Sequence, residues 1–197
     1  MVKIAVLVSG SGTNLQALIN AWKKDELAGG QLSLVISSVA DTFAIERALK
    51  AGIKTVTIER KAYSHLYDFD NAITEVLLKN NIDLVVLAGF LSILGPKVID
   101  AFENKIINIH PSLIPAFCGK GYYGIRVHEA VIKSNTKVTG ATVHFVNNVI
   151  DGGNIILQKS VDVLPDDTPD SLQKRVMREA EWIILPQAVA MFCRKEI

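Results

Sequence analysis

Surplus charge, cysteine and long apolar runs are all scarce in this sequence, and each shortage removes a class of function. Lys and Arg number 21 against 20 Asp and Glu, a net charge of +1. No global field therefore draws the chain to DNA, RNA or an anionic membrane, and an anionic ligand has to be held locally. Two cysteines, Cys118 and Cys193, are too few for a disulfide framework and fit a reducing, cytoplasmic setting. No apolar run approaches the roughly 20 residues that span a bilayer. Met1–Gly10 reads as a first strand rather than a signal peptide, because Ser-Gly-Ser-Gly and an amphipathic segment follow. Internal repeats, low-complexity tracts and domain-boundary signals are missing. So is any His, Cys, Asp and Glu spacing suited to a metal, and no metal is expected.

What is present is an ordinary globular composition, 49% hydrophobic and 21% charged over 197 residues. That is enough for one domain, 1–197, with a sizeable core. Val2–Ser9 is a continuous β-branched apolar run, the mark of a strand buried on both faces. Thr13 or Asn14 is placed to cap a helix running to about Ala28, with Leu15, Leu18, Ile19 and Trp22 on one stripe. Strands over Leu32–Ser38, Lys54–Ile58, Leu84–Ala88 and Ile106–Ile109 then alternate with helices over Phe43–Ala51, Tyr67–Asn80 and Val98–Phe102. This alternation predicts an α/β fold with a doubly wound, mostly parallel, Rossmann-like sheet. Ligands of such sheets bind beyond the C-terminal strand ends, so the loops at Gly10, Gly89 and His110 should gather on one edge. After a helix over Ile125–Ser134, two alternating strands at Val138–Val146 and Ile155–Leu164 predict an antiparallel C-terminal part. Asp170 to about Lys195 reads as one long closing helix, with a bend expected at Pro186.

The stretch Ile106–Pro115 organises the rest. Its strand presents Asn108 and His110 two residues apart, hence on one side. Pro111 and Pro115 stiffen the exit. Amide N–H groups stabilise a developing oxyanion, and an imidazole acts as acid or electrostatic stabiliser near neutral pH. A strand-end asparagine beside a surface histidine would account for the same residues. Ser9-Gly10-Ser11-Gly12-Thr13-Asn14-Leu15 lies between strand and helix and suits a phosphate-sized anion, with an unliganded tight turn as the plainer account. Leu15 stands where the dinucleotide fingerprint has its third glycine, and Asp41 is as easily a helix cap as a ribose-binding acid. Asp151-Gly152-Gly153 reads first as a β-turn; if it reaches the site, its carboxylate favours a charged His110. Ser112 follows His110 too closely to be its nucleophile, and Cys118 lies in the glycine-rich loop Ala116–Gly124, so covalent catalysis is disfavoured. His144 reads as an ordinary strand residue, His128 as a helix residue and His65 as a loop residue.

Asn108-Ile109-His110-Pro111-Ser112-Leu113-Ile114-Pro115, with Asp151-Gly152-Gly153 downstream and the glycine loop at the start, resembles the folate-dependent formyltransferases over almost the whole chain. The resemblance implies their fold, with 10-formyltetrahydrofolate as a consumed co-substrate and a small-molecule amine as acceptor. The glycine loop points to the purine-synthesis branch, whose acceptor is a phosphoribosylglycinamide. Carried over by position, Asn108, His110 and Asp151 would form the catalytic trio. Gly12, Thr13 and Asn14 would bind the substrate phosphate, and Glu181 would contact the glycinamide substrate. Leu91, Ser92, Ile93 and Leu94, with Asn108, would line the pterin pocket. Val146, Asn147, Asn148, Val149 and Ile150 would form its other wall. A monomer or homodimer is expected.

Three departures from the family pattern stand out. Ser92 and Leu66 replace arginines common among relatives, which bears on the folate's glutamate tail, with His65 a possible substitute. The last helix carries one extra residue near Glu179-Ala180-Glu181, so Glu179 competes with Glu181 for the substrate role. The rival readings are another superfamily member, such as a formyltetrahydrofolate hydrolase or a sugar-amine formyltransferase, an NAD(P)-dependent oxidoreductase and a phosphate-ligand sensor. A first strand beginning at once after Met1 counts against the hydrolase, and Leu15 counts against the oxidoreductase. A sensor would leave Asn108, His110 and Asp151 without a role.

Overall fold

The computed structural model describes residues 1–197. Seven strands, β1 (Val2–Val8), β2 (Gly30–Ser37), β3 (Lys54–Thr57), β4 (Leu84–Leu87), β5 (Ile106–His110), β6 (Val138–Phe145) and β7 (Ile155–Asp162), form one sheet in the order β3-β2-β1-β4-β5-β6-β7. The first five are mutually parallel, and β6 and β7 are antiparallel, as the patterning predicts. Strand β1 sits centrally, and Ile4 to Val8 are all 0% exposed. Ile4, Val6 and Val8 face one side, with Leu15, Leu18, Ala44, Leu172 and Leu185. Ala5 and Leu7 face the other, with Phe69, Ile73, Leu77, Val98 and Ile99. The helices that supply these residues are α1 (Thr13–Lys23), α2 (Phe43–Lys50), α6 (Pro169–Val176) and α7 (Trp182–Cys193) on the first side. On the second they are α3 (Leu66–Lys79) and α4 (Pro96–Ala101). Helix α5 (Ile125–Lys133) follows the glycine-rich loop.

Three expectations are corrected. Helix α1 stops at Lys23 rather than Ala28, because Asp25 turns left-handed (φ 61°). There the Asp25 and Glu26 amides fold back onto the Trp22 and Ala21 carbonyls, closing the last turn. Neither Thr13 nor Asn14 caps that helix: Gly12 holds the cap position at φ 70°, and Ala44 packs where a Gly12 side chain would stand. The closing helix runs unbroken but is not uniformly α. A π-helical turn over Met177–Glu181 separates α6 from α7, while Pro186 lies within α7.

On β5, Ile107 and Ile109 join the α1/α7 side, whereas Ile106 joins the α3/α4 side. Asn108 and His110 continue the row begun by Ile106. Loops leaving the parallel strands meet here, as the Ser9 amide donating to the Gly89 carbonyl attests (3.1 Å).

Candidate active site

Asn108 and His110 share one face of β5, and the antiparallel register sets His144 opposite Asn108 and Thr142 opposite His110. The loop after β6 folds back over this face and delivers Asp151. Its carboxylate lies 3.6 Å from His110 Nδ1 and 3.7 Å from His144 Nε2, and it accepts the Gly119 amide at 2.8 Å. The Asp-Gly-Gly segment both turns the chain and carries a carboxylate onto this face. Asp151 itself is left-handed (φ 54°), and a side chain at Gly153 would run into the Phe145 carbonyl. The structure thus brings the predicted trio together.

His144, read from the sequence as an ordinary strand residue, is the correction that matters most. Its Nδ1 donates to the Phe145 carbonyl (2.7 Å), which leaves Nε2 to accept from Asn108 Nδ2 (3.1 Å). The second Asn108 N–H remains available to a ligand. Cross-strand pairing held the signal: in an antiparallel pair, the partner of a functional residue shares its face. Missed also was His128 on α5, fully buried with neither ring nitrogen bonded. Burial, and then the nearby His110, push its pKa down to about 4.

Burial opposes the pull by which Asp151 favours a charged His110. Desolvation pulls the His110 imidazole below its ordinary value, outweighing the Asp151 carboxylate and the Phe117 carbonyl, which act upward. Burial pushes Asp151 upward, but the neighbouring His144 and His110 imidazoles and the Gly119 amide hold it below the usual carboxylate value. His110 Nε2 donates to the Phe117 carbonyl at 2.9 Å, so the glycine-rich loop closes over the imidazole. The Ser112 hydroxyl serves that turn, donating to the Ala116 carbonyl at 2.6 Å. Burial and Asp151 raise the Cys118 thiol, which keeps it a poor nucleophile.

At the glycine loop, the Thr13, Asn14 and Leu15 amides carry no hydrogen bond and no acidic residue sits in the first turn of α1. Arg47 braces the loop by donating to the Ser11 carbonyl (2.9 Å). The Asn14 side chain points inward instead, donating from Nδ2 to Glu181 Oε2 at 2.6 Å. Only the backbone of Asn14 is left for an anion. Glu181 is 6% exposed, and burial pushes its pKa up to about 7 against the Asn14 hydrogen bond. Glu179, its competitor, points outward and pairs with Arg178. A cavity of about 860 Å³ between α1 and α7 touches Thr13 but none of Asn108, His110 and Asp151.

The two expected folate walls both present apolar side chains. Leu91 and Ile93 are 61% and 59% exposed after β4, while Leu94 turns into the core. Val149 and Ile150 are exposed after β6, on a turn fixed by the Val149 amide donating to Asn147 Oδ1 (2.9 Å). No group of three or more His, Cys, Asp and Glu is placed to hold a metal ion, and no helix is long and apolar enough to cross a membrane.

The family model described as formyl transferase matches residues 2–189. The phosphoribosylglycinamide formyltransferase of Haemophilus influenzae is 40% identical over 192 residues, spanning 98% of this chain and 87% of that protein. The trifunctional purine biosynthetic protein adenosine-3 of Gallus gallus is 42% identical over 96% of this chain, but the match covers only 18% of that longer protein. Among solved structures, glycinamide ribonucleotide transformylase 1 from Symbiobacterium toebii superimposes with a TM-score of 0.93 at 40% identity, covering 99% of this chain and 89% of that one.

Proposed function

The chain belongs to the formyl transferase family, in its phosphoribosylglycinamide formyltransferase branch, and from that membership we propose that residues 1–197, as one domain, move the formyl group of 10-formyltetrahydrofolate onto the amine of 5-phosphoribosylglycinamide. The branch serves purine biosynthesis. The observation that carries the mechanism is the convergence of Asn108, His110, His144 and Asp151 at the end of β5.

The amine attacks the formyl carbon, a C–N bond forms and the carbonyl oxygen becomes an oxyanion. Asn108, oriented by His144, donates its free N–H to that oxygen. The position now held by the Phe117 carbonyl, 2.9 Å from His110 Nε2, is where a second oxyanion donor acts once the glycine-rich loop yields to substrate. Burial keeps His110 easy to deprotonate in the free enzyme, and the oxyanion together with Asp151 favours imidazolium as charge develops. The proton lost by the attacking nitrogen passes through a water beside Asp151 to N10 of the folate, whose bond to the formyl carbon breaks. The Gly12, Thr13 and Asn14 backbone holds the substrate phosphate, and Glu181 accepts from the ribosylglycinamide. The two apolar walls at Leu91–Leu94 and Val146–Ile150 take the pterin. No step calls for a metal.

A formyl-transfer assay tests this. Purified protein with both substrates should release deformylated folate and formylated glycinamide in equal amounts, dependent on the glycinamide. Folate release without the formylated product would move the reading to a hydrolase.

A further inference from the structure

From Gly89 to Gly95 the chain between β4 and α4 has no regular structure. Two of its amide N–H groups are bonded, and both go to side chains outside the loop. The Leu91 amide donates to Ser9 Oγ at 2.8 Å, and the Gly95 amide donates to Asp70 Oδ1 at 3.0 Å. Ser9 Oγ is itself 2.7 Å from the hydroxyl of buried Ser38 at the end of β2. Asp70 is 1% exposed on α3, and its Oδ2 fills the space that a side chain at Gly95 would occupy. Beside it, Phe69 stacks on Phe90 of the loop, with ring centroids 6.5 Å apart and planes 5° from parallel. The loop is therefore hung at both ends, while the amides of Phe90, Ser92, Ile93 and Leu94 stay free for a ligand. Leu91 and Ile93 stand exposed on that span. Apolar side chains held out in water gain nothing from the fold, so something other than packing must fix their height.

We propose that Ser9 and Asp70 are positioning residues that hold the span Leu91–Leu94 at its working height through the Leu91 and Gly95 amides, and thereby set affinity for the folate and not for the ribosylglycinamide. The inference rests on the reading of this loop as the pterin wall. Neither residue touches the reacting atoms. A hydrogen bond to a charged group is the stronger of the two anchors, so Asp70 carries more of the effect than Ser9.

The test compares Asp70→Ala, Asp70→Asn, Gly95→Ala and Ser9→Ala by steady-state kinetics in both substrates. Asp70→Ala and Gly95→Ala should raise KM for 10-formyltetrahydrofolate by about tenfold or more, and Ser9→Ala should raise it less. KM for phosphoribosylglycinamide should stay at the parent value in all of them. Asp70→Asn should restore most of the folate KM, because its amide oxygen still accepts the Gly95 N–H. Should Asp70→Ala fail to fold, Gly95→Ala and Ser9→Ala decide, since the first disturbs the Asp70 anchor from the loop side and the second removes the other anchor. Equal movement of both KM values, or an unchanged folate KM in folded variants, would overturn the inference while an active parent leaves the functional reading standing. A folded parent without formyl transfer would sink the functional reading first, and this inference with it.

Discussion

Replacing Glu181 by glutamine should make the protein more stable in mild alkali and worse at holding its acceptor substrate. Glu181 is buried on the π-helical turn, and Asn14 Nδ2 is its hydrogen-bond partner. Burial raises its pKa from an ordinary 4.5 to about 7. The folded state therefore grips the proton more firmly than the unfolded chain. That stability is fully present below pH 4.5 and is lost as pH rises through about 7. The rise from 4.5 to about 7 corresponds to about 3 kcal/mol, at roughly 1.36 kcal/mol for each tenfold step in proton affinity. The glutamine side chain keeps an oxygen for the Asn14 amide and cannot ionise. Urea unfolding at about pH 8.5 should thus find Glu181→Gln about 3 kcal/mol more stable than the parent, with little difference at about pH 4.5. In the same variant, KM for phosphoribosylglycinamide should rise about tenfold, because an ionised acceptor of substrate hydrogen bonds is gone. A stability gain of the same size at both pH values would refute the reasoning, since the advantage would then owe nothing to ionisation.

Asn108→Ala and His110→Ala should each lower kcat by ~10²–10³ while unfolding at the parent temperature; near-parent turnover in either would remove that residue from the oxyanion site. His144→Phe should lower kcat roughly tenfold with both KM values kept, because Asn108 loses the acceptor that orients it, and an unchanged kcat would reduce His144 to packing. His128→Met should gain stability relative to the parent as pH falls from about 6.5 to 4, read by urea unfolding across that range, because the buried imidazole no longer resists protonation.

The layout of the sheet was legible because each strand carries its own local signal. Continuous β-branched runs mark β1 and β4 as buried on both faces, and alternation marks β6 and β7 as antiparallel. Asn108 and His110 were legible for the same reason, since period-two geometry places them together without knowledge of any partner. What stayed hidden depends on contacts distant in sequence. His144 joins the site only through its register with Asn108, 36 residues away. The Asn14 side chain looked free for a phosphate, but its partner Glu181 lies 167 residues further on. The upward pull of Asp151 on His110 can be read from a motif, whereas the burial that outweighs it is a property of the closed loop.

The two most strongly shifted buried groups pull acid stability in opposite directions, so the parent conceals both. Between about pH 4.5 and 6.5, folded Glu181 keeps a proton that the unfolded chain has released, and folded His128 lacks one that the unfolded chain has taken up. The proton counts cancel, and stability is nearly level across that window even though each group alone has a slope of about 1.4 kcal/mol per pH unit. Asp70, raised by burial, acts in the same direction as Glu181, and His110, lowered by burial, in the same direction as His128. Glu181→Gln should therefore uncover a stability that climbs with pH over this range, and His128→Met one that falls. The two sites share no hydrogen-bond partner, so their effects should add and the double variant should return to a level profile. Urea midpoints at about pH 4.5, 5.5 and 6.5 for the four proteins complete the cycle. Slopes of the same sign in the two single variants would mean that burial does not govern these two ionisations.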